Sequence, residues 1–298
     1  MDNILDSNFS KAFAIAWSEN QGGYSETIAK KTLNFAKTQG LKISTVLDIC
    51  CGSGNFLHEM QLNGKKCTGT EILDSYIEYN RQKYPEMKFI KSQSLLDFEG
   101  LETYDLISCN HDVVNFLPSL ADWGTFFKNV YAHLNNGGIF IFDFYTKRRL
   151  KGWNEVTYDE NEKLDYVKQI TSDNETQTSI SNIYYINLNP NTNVSTDEKT
   201  YALNDYEHNK YKKTEDTVTE YFFENEDILN QIKKAGYRYL ITTDANFAPV
   251  SGISDMNRIH IIAIKREAVV QKPAEPAPAE TPAKPAEPTE EKTETPAE

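Results

Sequence analysis

Long apolar runs are missing from this chain, and their absence excludes a class of protein. No run in the 298 residues approaches the roughly 20 apolar residues that a membrane-spanning helix requires. The N-terminus carries acidic residues and has no basic segment ahead of an apolar core, so the sequence predicts no secretory signal. We therefore expect a cytoplasmic protein that does not bind membranes.

Cysteine is also scarce, with only four residues in the chain. All four lie in or beside predicted strands, without CxxC spacing and without a histidine cluster nearby; they are Cys50, Cys51, Cys67 and Cys109. Such positions favour reduced, packed thiols over a disulfide framework or a zinc site. We expect no metal centre in this protein.

Basic patches are absent as well, and the net charge is −13. Residues 151–223 carry seven Lys and fourteen Asp or Glu, and residues 268–298 carry three Lys and seven Glu. The second segment is a Pro-Ala-Glu-Thr stretch without hydrophobic periodicity, so we predict that it is a disordered tail. The lack of a basic stripe argues against nucleic acid as a partner.

The clearest positive signal is the stretch 46–56, which reads VLDICCGSGNF. Its apolar start is typical of a strand that is covered on both faces, and helical spacing begins at Asn55. Gly52 and Gly54 lie between the two elements and allow a tight turn with close ligand approach. The pattern predicts a ligand loop at the carboxyl end of a buried strand.

The details of this loop separate two classes of ligand. A dinucleotide loop needs a third glycine, but Leu57 stands in its place, and Asp48 at the strand end would repel a pyrophosphate. The same carboxylate could accept a hydrogen bond from an ammonium group, such as that of S-adenosylmethionine (SAM). These features argue against a nicotinamide enzyme and favour SAM. A glycine turn without any ligand is the simpler alternative.

The segment resembles motif I of class I SAM-dependent methyltransferases, usually written hydrophobic-Leu-Asp-x-Gly-x-Gly-x-Gly. The resemblance implies that Asp48, Cys50, Gly52 and Gly54 contact the cofactor. Cys50 stands where the first glycine usually lies. We expect a negative φ there, with slightly tighter packing against the methionine part of the cofactor and no loss of binding.

A second acid follows about twenty residues later, where Glu71 ends the strand Lys66–Glu71. A carboxylate there can take both hydroxyls of a ribose, and it matches motif II of the family, with Ile72 placed to pack on the adenine. A solvated acid at a strand end is the alternative. After the next strand the family commonly has an Asp, whereas this chain has Ser94, followed by Leu95 to cover the ring. The neutral hydrogen bond predicts somewhat weaker binding, since it contributes about 1 kcal/mol against about 1.5–3 for a charged one.

The end of the fourth strand, Tyr104–Cys109, supplies the residues that face the transferred methyl in the family. They are Asn110, His111 and Asp112. His111 is a candidate general base because imidazole titrates near neutrality, or it lines the cofactor only through its backbone. Asp112 is a candidate catalytic residue, or it shapes the pocket floor or caps the next helix, as does Asn115. Tyr24 is a candidate to close over the cofactor, or it staples the start of a helix.

Strands and helices alternate up to residue 145, which predicts a parallel sheet. Strands rich in Tyr, Ile, Val and Thr then follow at 166–171, 178–188, 200–207 and 217–223, and a helix and a closing hairpin come last. We predict an α/β fold with a seven-stranded Rossmann-like methyltransferase sheet and an inserted antiparallel β lid. The predicted parts are an N-terminal helical cap (1–40), a SAM-binding core (41–150), the lid (151–223), the C-terminal part of the core (224–267) and the tail (268–298).

The expected function is transfer of a methyl group from SAM to a nitrogen, oxygen or carbon of a small molecule. The acidic residues of the lid favour a neutral or amine-bearing acceptor over a phosphorylated one. The alternative is a SAM-binding regulator or scaffold without turnover. The lid is either a substrate lid or a dimer surface, which leaves the protein a monomer or a homodimer.

Overall fold

The computed structural model describes residues 9–160, 165–187, 212–250 and 253–266. The tail at 268–298 and the predicted strand at 200–207 lie outside these residues. The described residues form one compact unit. No helix of the described ranges is long and apolar enough to cross a membrane.

A seven-stranded sheet forms the centre of this unit, in the order β3-β2-β1-β4-β5-β11-β10. The first five strands are parallel, and β11 inserts antiparallel between β5 and β10. Both faces are covered, which explains why the strands read as continuous apolar runs. The strands are β1 Thr45–Ile49, β2 Lys66–Glu71, β3 Lys88–Lys91, β4 Tyr104–Cys109, β5 Leu134–Tyr145, β10 Tyr239–Thr243 and β11 Arg258–Ile264.

Five α-helices cover the sheet: α1 Phe9–Thr38, α2 Asn55–Leu62, α3 Asp74–Lys83, α4 Leu120–His133 and α5 Asn225–Lys234. One buried cluster joins α1, α2 and α3 to the sheet through side chains such as Ile28, Phe56 and Ile77. A second cluster joins α4 and α5 to the opposite face through residues such as Trp123 and Ile232. The resulting three layers hold the carboxyl edge of the parallel strands in a fixed position.

A separate antiparallel sheet of four strands follows β5, in the order β6-β7-β8-β9. Its strands are β6 Glu155–Glu160, β7 Asp165–Asp173, β8 Thr178–Asn187 and β9 Lys212–Tyr221. Asn115 ties this sheet to the core, since its Nδ2 donates to the carbonyl oxygens of Tyr145 and Tyr221, both at 3.1 Å. The predicted α/β architecture, with seven core strands and an added antiparallel sheet, is confirmed.

Four details differ from the prediction. The two glycines Gly22 and Gly23 predict a helix break before Tyr24, but α1 continues through both, because its buried contacts beyond residue 27 outweigh a cost of about 1 kcal/mol per glycine. β6 was not predicted. The segment Asn-Asn-Gly-Gly at 135–138 predicts a helix stop before the fifth strand, but β5 begins at Leu134 and includes this segment. Asn115 does not cap α4, whose N-cap is Ser119.

Candidate active site

The loop after β1 turns through three residues with positive φ: Cys50 at 52°, Gly52 at 52° and Gly54 at 75°. The expected negative φ at Cys50 is therefore wrong. The turn needs a left-handed residue at the position where the motif usually has glycine, and cysteine adopts this conformation at a cost of roughly 1–2 kcal/mol. A Cβ on Gly54 would lie 3.1 Å from Asn80 Oδ1 and from the ring of Tyr84, so this glycine is needed for packing against α3.

Glu71 at the end of β2 is buried and holds this loop. Its Oε2 accepts a hydrogen bond from the Gly52 amide at 2.9 Å, and its Oε1 accepts from Ile72 at 2.7 Å and from Leu73 at 3.0 Å. A carboxylate offers about four acceptor positions, and three are used here. Burial raises the pKa of Glu71, and the three amides oppose the rise. One acceptor position of the carboxylate is therefore left for a ligand, whereas the sequence predicts that two ribose hydroxyls bind there.

Asp48 lies on the neighbouring strand, 5% exposed, and accepts a hydrogen bond from Ser108 Oγ at 2.6 Å. Burial raises the pKa of this carboxyl from 3.8 to about 7, the Ser108 hydrogen bond lowers it, and the charge of Glu71 adds to the rise. A buried carboxylate without a cationic partner is costly, and an ammonium group of a ligand would supply the missing charge.

The predicted adenine side of the site lies after β2 and β3. Ile72 and Leu95 both pack on the core cluster beneath α4, with Leu95 buried and Ile72 half-buried. Ser94 is half-buried, and its Oγ accepts a hydrogen bond from the Leu96 amide at 3.2 Å. This turn fixes the hydroxyl, which keeps further hydrogen-bonding capacity toward a ligand.

Two consecutive left-handed residues, His111 (φ 63°) and Asp112 (φ 51°), form the turn after β4. Their amides point at the fully buried carboxylate of Asp143, with His111 N to Oδ1 at 2.7 Å and Asp112 N to Oδ2 at 3.1 Å. Successive amides in such a turn form a concave anion-binding nest, and Asp143 fills it. The sequence analysis missed Asp143, although its position at the end of an otherwise apolar strand was a usable signal.

Arg258 at the start of β11 was also missed and completes this arrangement. Its guanidinium is paired with Asp112 and with Asp143, the latter at 3.2 Å between Nη1 and Oδ2. It also lies over the Tyr145 ring, 4.2 Å from the centroid. The two acids raise the pKa of Arg258 despite burial, so the cation is held firmly. Nothing in the local sequence indicated a role for this residue, because its partners lie more than a hundred positions away.

Helix α1 brings Tyr24 to the same edge. Its hydroxyl lies 2.5 Å from Nε2 of His260, and its ring lies 4.6 Å from that of His111 between centroids. Ser25 Oγ lies 2.9 Å from His111 Nε2. Burial lowers the pKa of His111 to about 4, so the imidazole is neutral at physiological pH and is a weak base.

Asn110, the residue before this turn, is 8% exposed, and its Nδ2 is buried without a hydrogen-bond partner. An unpaired buried donor costs about 1–3 kcal/mol, so a ligand acceptor atom would be favourable here. A Cβ built on Gly52 would lie 4.0 Å from its nearest contact beyond the two adjacent residues, so there is space beside the loop. The unpaired donor, the space and the two buried acids fit a ligand with an ammonium group and hydroxyls.

The part of the chain that the structure describes holds no group of three or more His, Cys, Asp or Glu side chains arranged to bind a metal ion. All four cysteines are free thiols, and three of them are buried. Burial raises the pKa of Cys67 to about 12, and it also raises the pKa of the other three thiols well above the ordinary value, so the thiols are protonated.

Comparisons with known proteins identify the family of this chain. A family model described as a methyltransferase domain matches residues 20–241. A curated relative, the dTDP-4-amino-2,3,4,6-tetradeoxy-D-glucose N,N-dimethyltransferase of Saccharopolyspora spinosa, is 24% identical over 115 residues, which are 39% of this chain and 46% of that protein. The matched part is therefore about half of that relative's length.

Two solved structures share the fold. An S-adenosylmethionine-dependent methyltransferase from Clostridium acetobutylicum ATCC 824 has a TM-score of 0.65 at 16% identity, with 81% of this chain and 92% of that chain covered. The SAM-bound amino pentose methyltransferase CalS10 from Micromonospora echinaspora has a TM-score of 0.61 at 16% identity, with 84% and 96% covered. The predicted methyltransferase family is confirmed. The predicted cofactor agrees with the SAM-dependent enzymes that share the fold. The chain belongs to the methyltransferase domain family.

Proposed function

We propose that this protein transfers the methyl group of SAM to the amino nitrogen of a small molecule. The observation that supports this most strongly is a row of acids along the carboxyl edge of the sheet. Asp48 and Glu71 at the glycine loop are buried, and Asp112 at the next strand end is partly buried. SAM supplies an activated methyl group on a positively charged sulfur. An acidic, water-poor edge suits cationic groups of both donor and acceptor.

The chain's own residues would hold the cofactor as follows. Asp48 accepts a hydrogen bond from the ammonium group, and the remaining acceptor position of Glu71 takes one ribose hydroxyl. Ile72 and Leu95 pack on the adenine, and Ser94 bonds to its edge. The last group of contacts comes from the loop, the strand end and the helical cap, through Cys50, Gly52, Gly54, Tyr24 and the backbone of Asn110.

His111 is a poor candidate for a general base in this proposal. Its pKa of about 4 leaves it with little affinity for a proton, and both Ser25 and Tyr24 lie against its ring. We assign it to the wall of the cofactor site. Asp112 stays a candidate for contact with the acceptor, because its carboxyl lies at the strand end where the methyl group is expected.

The names of two similar proteins agree with an amine acceptor. The relative from Saccharopolyspora spinosa is an N,N-dimethyltransferase of an amino sugar, and CalS10 is an amino pentose methyltransferase. The first name also includes a dTDP group, which is anionic and would be repelled by the acidic lid. We favour the free amino compound over its nucleotide ester.

A turnover assay tests the proposal and separates these alternatives. Formation of S-adenosylhomocysteine would be measured with a 4-amino-deoxyhexose, its 4-hydroxyl counterpart and the dTDP ester of the amino sugar, at low and high salt. We expect the free amine to react fastest, and added salt to slow it by screening the acidic field. SAM binding without turnover of any acceptor would instead support a regulator or scaffold.

The remaining proposals concern organisation and location. We propose that residues 1–40 form a cap, 41–150 and 224–267 the core, and 151–223 a substrate lid, with the lid also available as a homodimer surface. Reduced thiols and the absence of a spanning helix in the described residues agree with the cytoplasm as the location.

A further inference from the structure

The lid contributes one buried acid to the candidate site. Glu220 on β9 is 7% exposed, its Oε2 accepts a hydrogen bond from Ser179 Oγ at 3.0 Å, and its carboxyl lies within hydrogen-bonding reach of Asp112. The Asp112 side chain is itself 13% exposed. A carboxyl from the core and a carboxyl from the lid therefore meet, away from bulk water, next to the strand end where the methyl group is expected.

Among the residues that the structure describes, the charges around this pair do not balance. Three carboxyls, of Asp112, Asp143 and Glu220, lie near two cations, Arg258 and Lys168. Asp143 accepts hydrogen bonds from two backbone amides and pairs with the guanidinium. The pair of Asp112 and Glu220 is left one positive charge short, and burial raises the pKa of both groups. Two neighbouring carboxyls of this kind favour a shared proton, because two buried like charges repel each other.

A second observation at the same strand end is independent of the acids. The Nδ2 group of Asn110 is buried without a partner, although it lies only two residues before Asp112. A buried donor of this kind is satisfied when a ligand brings an acceptor atom. The strand end thus offers a donor that lacks an acceptor beside a carboxyl pair that is one positive charge short, which is the complement of a molecule with an amino group and a neighbouring hydroxyl or ring oxygen.

We propose that Asp112 and Glu220 together bind the amino nitrogen of the acceptor, and that Glu220 makes the lid select amines over alcohols. This inference rests on the proposed methyltransferase function. The acceptor enters as an ammonium ion and replaces the shared proton, because it supplies the missing positive charge. An alcohol brings no charge and leaves the pair protonated.

The proton balance follows from this placement. The bound ammonium gives one proton to the carboxyl pair, which frees the nitrogen lone pair. That lone pair forms the new N–C bond while the C–S bond of the donor breaks and its electron pair stays on sulfur. The carboxyl pair carries the released proton until the product leaves, so no further base, oxidant or metal is required.

Several other groups face the pair. Arg258 on β11 and Lys168 on β7 are the cations near it, and Asp143 on β5 accepts hydrogen bonds from two amides. Burial raises the pKa of Tyr145 to about 12 and lowers the pKa of His111 to about 4. A proton that is released or taken up at this position near pH 7.5 therefore belongs to the carboxyl pair.

Glu220→Gln is the main test, because glutamine keeps the size of the side chain and can still accept from Ser179 while the charge is lost. Glu155→Gln is the matched control, since Glu155 is an exposed acid on lid strand β6. We expect Glu220→Gln to lower kcat/KM for the 4-amino-deoxyhexose about ten- to a hundredfold, as for a hydrogen bond to a charged group. The dissociation constant of SAM should change less than about twofold, which also shows that the variant is folded.

The outcomes are distinct. Equal loss in Glu155→Gln, or an unchanged amine reaction in Glu220→Gln, would overturn the role of Glu220 and leave the proposed function intact. If wild-type protein methylates only hydroxyl acceptors, the amine assignment fails together with the pair. If it binds SAM and methylates nothing, the proposed function itself fails.

A measurement on wild-type protein avoids any dependence on the folding of a variant. Binding of the 4-amino-deoxyhexose to the protein saturated with S-adenosylhomocysteine would be followed by calorimetry at pH 7.5 in buffers of different ionisation enthalpy. We expect release of about one proton per amine bound, because the ammonium displaces the shared proton. A binding enthalpy that is the same in every buffer would mean that no proton is released, and it would overturn the proposal.

Discussion

At the scale of single residues, Asp48 links cofactor binding to pH. Burial raises its pKa to about 7, and only the charged carboxylate binds an ammonium group well. We predict that the dissociation constant of SAM rises about tenfold between pH 8 and pH 6, as the proton competes for the carboxylate. Calorimetry across this range tests it, and Asp48→Asn should bind weakly with no such pH dependence.

The raised pKa of Asp48 has the opposite effect on the stability of the ligand-free protein. Because the folded protein binds this proton more tightly than the unfolded chain, the contribution of Asp48 to stability is full below about pH 4 and is lost as the pH rises to about 7. Asp48→Asn should therefore melt at a higher temperature than wild type at pH 8. An equal or lower melting temperature at pH 8 would contradict the pKa shift.

Glu71 has two roles that one substitution should reveal together. We predict that Glu71→Ala weakens SAM binding by about 1.5 kcal/mol, for one charged hydrogen bond, and also lowers the free energy of unfolding, because three amides lose their acceptor. Calorimetry and urea unfolding measure the two effects. Glu99→Ala removes an exposed acid and is the control. Weakened binding with unchanged stability would mean that the amide contacts contribute nothing.

Cys50 carries backbone strain that two substitutions can isolate. Cys50→Ala removes the thiol but keeps a Cβ at a φ of 52°, whereas Cys50→Gly removes both the thiol and the strain. We predict that the glycine variant is more stable than the alanine variant by roughly 1 kcal/mol, despite the greater freedom of glycine in the unfolded chain. Thermal unfolding of both variants measures the difference, and a more stable alanine variant would contradict the left-handed turn.

At the scale of elements, the Asp143 and Arg258 pair joins β5, β11 and the turn after β4. We predict that Asp143→Asn lowers the free energy of unfolding by about 3–5 kcal/mol, because a buried guanidinium and two amides lose a charged partner. Urea unfolding tests it. The surface pair of Arg148 and Asp255 supplies the control, as Arg148→Gln should cost less than about 1 kcal/mol. A similar loss of unfolding free energy in both variants would mean that burial of the Asp143 and Arg258 pair adds nothing to stability.

Elements with strong local patterns were predicted well. β4 was placed with its observed bounds, because an apolar run between polar turns specifies a buried strand. α1 was wrongly divided, since glycine propensity is a weak signal once a helix packs on a sheet. β6 was overlooked because its sequence, EVTYDE, is mostly polar, and its pairing with β7 is what makes it a strand.

At the scale of the whole molecule, the described body ends at residue 266, and the tail carries no apolar periodicity. We predict that deletion of residues 268–298 changes neither the melting temperature nor the affinity for SAM, since a Pro-Ala-Glu tract buries little apolar surface. Differential scanning calorimetry and SAM titration of the shortened chain would test this. A drop of several degrees would show that the tail stabilises the body.

The sequence by itself determined the sheet, the glycine loop and the two acids beside that loop. Asp48 and Glu71 lie close to the loop along the chain, so spacing alone brings them to one edge of a parallel sheet. It also determined the family, because the glycine-loop motif and the alternation of strands and helices agree over residues 40–145.

Only the tertiary structure decided the acceptor side. Arg258 lies 146 positions from Asp112, and Glu220 reaches the same carboxyl from a different sheet. No local pattern encodes such contacts, because a strand's sequence specifies which residues are buried but not which charge from another element meets them. The turn at His111 and Asp112 is likewise held by Asp143 from the neighbouring strand, and its left-handed geometry depends on a carboxylate that only folding brings within 3.1 Å of both amides.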